Sequence, residues 1–213
     1  MEIPKTLLKK LEEGRQYRRM VEIEVKEADD EMIVEGYATT FNEPYLLFRN
    51  GNYTFYEQVD SRAFDETDMS DVIMQYDHEG RVFARIANKT LAVEPDEHGL
   101  HVRANLGGTE LGRQLYEEIK GGYTDKMSFG FTVDKDERTI EENHETGEVT
   151  ITRTITGIRK LYDVSAVSLP ANNATEISAR SYCDGLIAEL EEERRKSDEL
   201  KARKQKIKIL SEV

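Results

Sequence analysis

The chain has 213 residues, more than one average domain of about 150 and short of two, so one main domain with appendages is expected. Its 38% apolar content supports a core. The 30 Lys and Arg against 43 Asp and Glu leave a formal net charge of −13, which disfavours a sequence-independent nucleic-acid binder that must neutralise phosphates. No apolar run approaches the ~20 residues of a membrane span and the opening residues lack a signal's apolar stretch, so a soluble, intracellular protein with no membrane partner is expected. The lone Cys183 excludes an internal disulfide framework and a multi-cysteine zinc cluster.

In chain order, residues 1–20 read as a basic N-terminal arm whose residues 5–19 form a short amphipathic helix. Residues 21–180 carry most of the excess negative charge and most of the period-two alternation, in Val21–Val25, Glu31–Val34, Leu91–Val93, Leu100–Val102, Val149–Thr152 and Val164–Val167. Alternating runs broken by turn residues predict a mainly antiparallel β domain of α+β class. Residues 94–99 and 143–148 are rich in turn formers and predict two hairpins with exposed tips. Between them Thr109 caps a predicted helix with Leu111, Leu115 and Ile119 on one face and Gly121-Gly122 past its end. Residues 181–213 read as a charged helical tail. Within its helix, 184–208, Glu193, Ser197 and Lys204 interrupt the heptad seam, so a solvated helix is expected rather than a coiled coil.

Four histidines can be ranked by place. His98 and His144 fall in the hairpin turns, and His101 alternates opposite Leu100 and Val102, toward solvent. His78 closes the apolar run Val72–Tyr76 just before Gly80, where an imidazole is well placed as a base; the plainer alternative is an imidazole bonded to a backbone carbonyl. In Met127-Ser128-Phe129-Gly130-Phe131-Thr132-Val133, the large apolar residues take one face and Ser128, Gly130 and Thr132 the other. A glycine there permits close approach of another backbone, as an extended peptide substrate requires, while an ordinary amphipathic strand with a half-exposed serine has the same spacing. A serine hydroxyl attacks only with a base to take its proton and a carboxylate to hold that base. Asp163 is such a carboxylate. Counting by twos, it shares a face with Leu161, Val167 and Leu169, so it needs a buried partner, an imidazole or else Arg159 or Lys160. A hydrolytic metal site from His78, His98 and His101 needs all three to converge, but the alternation turns His101 outward.

Taken together, Gly36–Asn42, Tyr76-Asp77-His78, Met127–Phe131 and Leu161–Asn172, arriving in that order over residues 21–180, resemble the prohead proteases of tailed bacteriophages. The resemblance implies a serine endopeptidase related in fold to the herpesvirus maturation proteases, with a β-barrel core, surrounding helices and no metal or other cofactor. By motif, Ser128 is then the nucleophile, His78 the general base and Asp163 the orienting acid, the last standing where the family more often has glutamate. The implied partners are the major capsid protein with its scaffold or scaffold-like segment and the protease itself as substrate, inside the procapsid in the host cytoplasm. A homodimer is admitted by the same resemblance. The charged ends read as targeting or self-cleavage segments. The alternative is a non-catalytic capsid assembly or scaffolding factor that binds subunits through the tail helix.

Overall fold

A computed structural model of the chain describes residues 9–10, 12–28, 31–167 and 173–211. Among the described residues, from Gln16 onward, these strands and α-helices follow one another: β1 Gln16–Ala28, β2 Glu31–Thr40, β3 Tyr45–Asn50, β4 Tyr53–Val59, β5 Ile73–Tyr76, β6 Glu79–Arg85, β7 Leu91–Pro95, β8 Gly99–Asn105, α1 Glu110–Lys120, β9 Lys126–Glu142, β10 Val149–Val167 and α2 Asn173–Ser211. The alternating runs all fall in strands, and residues 94–99 and 143–148 make the β7–β8 and β9–β10 turns. Val149–Thr152 and Val164–Val167 are two ends of one 19-residue strand. Thr109 caps α1, its hydroxyl accepting from the Gly112 N–H at 2.9 Å, and Leu115 and Ile119 are buried beneath it.

The strands lie in the order β3-β4-β10-β9-β1-β2-β8-β7, with β5 on the far half of β10 and β6 beyond it. The expected barrel does not close among the described residues, because β3 and β7 end the order without pairing. The outer edge of β10 is divided between β4, along Val149–Ile155, and β5, along Asp163–Ala166, so no single strand carries the sheet onward. Strand β1 changes partner instead: through Glu22 it pairs with β9, with an irregularity between Arg19 and Val21, and from Ile23 onward it pairs with β2.

Two further departures have local causes. The arm helix read over 5–19 falls partly on residues 5–8 and 11, outside the described residues; Lys9, Lys10 and Glu12 are helical, but from Gln16 onward the chain is extended, because pairing along β9 outweighs local helix propensity. Strands β3 and β4 escape the alternation test: Leu46-Leu47-Phe48 does not alternate, and the inward face of β4 carries Glu57 between Phe55 and Val59. Glu57 is tolerated there because Arg18 and Arg153 both pair with it.

The main core lies under β1, β2, β8, β9 and the far half of β10, where Phe129, Phe131, Val34, Leu100 and Leu161 meet α1 through Leu115 and Ile119. A smaller cluster of Phe55, Val149 and Ile151 packs against Cys183 and Leu186 of α2. Burial pushes the Cys183 thiol up to about 12, so the sole cysteine stays protonated at neutral pH.

Candidate active site

Strand β5 ends in a two-residue turn in which Tyr76 pairs with Glu79, and Asp77 and His78 between them have φ of 49° and 62°. Two consecutive left-handed residues make the hairpin turn whose twist matches its strands, and aspartate and histidine are among the side chains that tolerate it. The Asp77 N–H donates to the Ala166 carbonyl at 3.0 Å, which ties the turn to β10. His78 is thereby carried inward and fully buried.

Strand β9 alternates as its sequence predicts, with Met127, Phe129 and Phe131 in the core and Ser128, Gly130 and Thr132 on the other face. That second face is covered as well, and Ser128 is only 1% exposed. In the β9–β10 ladder Ser128 stands opposite Ser165, and Gly130 opposite Asp163.

Counting by twos fails at one point. Leu161 pairs with Phe131 and Asp163 with the adjacent Gly130, so Tyr162 is an extra residue on β10. Such a bulge reverses the parity of everything beyond it. Asp163 therefore leaves the face of Leu161 and joins that of Ser128, while Leu169 lies outside the described residues. Gly130 admits it: a Cβ there would collide with the Asp163 carboxylate and lie 2.8 Å from the Tyr17 ring. The space read from the sequence as room for a substrate backbone is filled by these two groups.

Three side chains from three elements consequently form one chain of hydrogen bonds. His78 Nδ1 bonds Asp163 Oδ1, and His78 Nε2 lies 2.6 Å from Ser128 Oγ. The Ser165 hydroxyl donates to the same Asp163 oxygen at 3.0 Å. Burial alone would raise the Asp163 carboxyl, but the charge and hydrogen bond of His78 and the bond from Ser165 outweigh it and hold the group below its ordinary value. An ionised carboxylate can only accept, so Nδ1 carries a proton, and in the neutral imidazole Nε2 is then the acceptor that faces the serine hydroxyl. Arg159 and Lys160, the other partners open to Asp163, are engaged with Asp134 and Asp68. His98 and His101 pack against the Tyr37 ring, and among the described residues no three potential ligands gather into a metal site.

Ser165 and Tyr17 were not singled out from the sequence. The spacing Asp163-Val164-Ser165 carries a signal for the first, since alternate strand residues share a face. Tyr17 gave none: its ring lies 4.4 Å from that of His78 only because β1 runs beside β9.

Residues 19–185 match the family model of the caudovirus prohead serine protease. The chain belongs to this family. It is thus a serine protease of phage capsid maturation. The prohead protease of Enterobacteria phage HK97 is 28% identical over 168 residues, covering 78% of this chain and 68% of that protein. Among solved structures, the bacteriophage T4 capsid assembly protease, gp21, aligns with a TM-score of 0.39 and 12% identity over 72% of this chain and 98% of the other. For a serine protease of this family, the buried serine with a histidine at hydrogen-bond distance is the natural place to look for the chemistry.

Proposed function

We propose that the protease works through a Ser-His-Asp triad, with Ser128 as nucleophile, His78 as general base and Asp163 as the acid that orients it. The observation that carries the reading is the unbroken series Asp163, His78, Ser128, with Nε2 2.6 Å from Oγ. Ser128 Oγ attacks the scissile carbonyl carbon as His78 Nε2 takes its proton. Collapse of the tetrahedral intermediate breaks the C–N bond, and the same proton passes to the leaving amine. Asp163 stays ionised throughout and stabilises the imidazolium that forms. Water then attacks the acyl-enzyme with His78 again as base, and the serine is restored.

The substrates in this reading are the scaffold or scaffold-like segment of the major capsid protein and the protease itself, cleaved inside the procapsid in the host cytoplasm. Membership of the family and the name of the HK97 relative support it. The test is to express the chain with its capsid protein, as wild type and as Ser128→Ala, and weigh every fragment by intact-mass spectrometry. Fragments are expected only with Ser128 present, since loss of a nucleophile costs several orders of magnitude in rate. Identical fragments from both would overturn the assignment. Intact proteins from both, in assembled shells, would favour a non-catalytic assembly factor.

A further inference from the structure

The bulge at Tyr162 turns a second polar side chain toward Ser128 along with Asp163. Ser165 lies two residues beyond Asp163 on β10, so it shares that face, and in the ladder it stands directly opposite Ser128. It is fully buried, so its hydroxyl needs a partner inside the protein. Gln75 of β5 pairs with it from the other side, but the Gln75 amide is directed to the Gly80 carbonyl. The Ser165 hydroxyl donates to Asp163 Oδ1, at 3.0 Å.

We propose that Ser165 is a positioning residue of the protease, which holds the Asp163 carboxylate in the orientation that meets His78 Nδ1. This rests on the triad reading above. Oδ1 accepts from both His78 and Ser165, whereas Oδ2 is buried over Gly130 with no hydrogen-bond partner among the described residues. Apart from the imidazole, Ser165 is thus the donor that tells the two carboxylate oxygens apart. Without it, the imidazole alone would fix the carboxylate plane, and the imidazole is itself the group that the carboxylate has to hold.

Ser165, Asp163, His78 and Ser128 form one hydrogen-bonded series whose two ends are ladder partners. The pairing of β9 with β10 therefore sets the spacing between the hydroxyl that holds the acid and the hydroxyl that attacks. The two serines are not interchangeable. Ser128 faces an imidazole nitrogen that can take its proton, while Ser165 faces a carboxylate, too weak a base to activate an alcohol. The bond from Ser165 also helps to hold the Asp163 carboxyl below its ordinary value. An acid kept ionised keeps a proton on Nδ1 and leaves Nε2 to act as the base.

A residue that acts only through Asp163 has nothing to hold once that carboxyl is gone, so a double-mutant cycle in peptide hydrolysis tests the proposal. The substrate is a peptide spanning a cleavage site read from the fragment masses above, with incubations long enough to follow the slowest variant. Ser165→Ala should lower kcat roughly tenfold or more, with KM within about twofold of wild type. In an Asp163→Ala background the same substitution should change kcat by less than about twofold. An unchanged kcat in Ser165→Ala, or an equal fold loss in both backgrounds, overturns the proposal and leaves the triad standing. A wild-type kcat in Asp163→Ala overturns the triad reading and this one with it. Ser165→Cys, close in size and a weaker donor, takes the place of Ser165→Ala if that variant does not fold. A kcat lowered by roughly threefold or more in Ser165→Cys supports the proposal, and a smaller change overturns it.

Discussion

Asp163, the acid of the proposed triad, is buried against His78 and Ser165. Its carboxyl is held below its ordinary value, chiefly by His78 against the opposing effect of burial. At pH just below about 4 the unfolded chain therefore takes up a proton that the folded chain does not. The stability this pair contributes is complete above that pH and is lost as pH falls through the folded-state value. Unfolding free energies of wild type and Asp163→Asn, well separated at pH 7, should converge as the pH drops below about 4; a gap that stays constant would mean the charge is not the source of the stability. The same variant keeps the shape but disturbs the histidine tautomer, and kcat should fall by on the order of 10⁴. Gly130→Ala acts on the carboxylate from the other side. Its Cβ meets Asp163 and Tyr17, an overpacking that costs about 1–3 kcal/mol. Reduced kcat with nearly unchanged KM in peptide hydrolysis would report a displaced carboxylate.

At the scale of elements, the candidate site depends on two irregular features of its strands. One is the turn at Asp77-His78, the other the bulge at Tyr162, which lies beneath the Arg15 guanidinium. Deleting Tyr162 would make this stretch of β10 regular while leaving Leu161 opposite Phe131 and Asp163 opposite Gly130, so the acid stays on the face of Ser128. Such a protein should retain β-sheet circular dichroism and peptidase activity; loss of activity with the sheet intact would show that the local bend of the bulge, beyond the register it sets, orients the acid. Helix α1 supports the core through Leu115 and Ile119 and supplies none of the three side chains of the proposed triad. Thr109→Ala removes its N-terminal cap and should cost about 1 kcal/mol in urea denaturation, with kcat unchanged.

Across the whole molecule, the sheet and α2 enclose the ionic cluster of Arg18, Glu57 and Arg153, which Tyr45 joins by donating to Glu57. Burial pushes the Glu57 carboxyl upward, and the two guanidinium groups more than reverse it, so the charge is retained in the interior. Removing one member of a buried ionic cluster leaves the rest undercompensated. Arg153→Met takes a partner from both Glu57 and Asp136 and should lower stability by about 3–5 kcal/mol, read from chemical denaturation. A loss under 1 kcal/mol would mean the cluster is dispensable for the fold. Arg153 lies on the near half of β10, the half that pairs with β4, so the stability loss is expected without a shift in the pH profile of the folded enzyme.

The amino-acid sequence by itself determined the mainly antiparallel architecture, the two hairpins, the capped helix and the face of β9 that presents Ser128, because alternation and turn chemistry are local properties. His78, Ser128 and Asp163 could be named as candidates from their strands and from the family resemblance. Only the tertiary structure decided that they meet. A bulge that adds one residue leaves no mark in hydrophobic periodicity, and it moved Asp163 from the apolar layer to the serine's face. Whether the barrel closes depends on which short strands share the edge of β10, a matter of pairing between segments about 90 residues apart. The inward Glu57 concealed β4 for a related reason: its partners, Arg18 and Arg153, are distant in the chain and adjacent only in the fold.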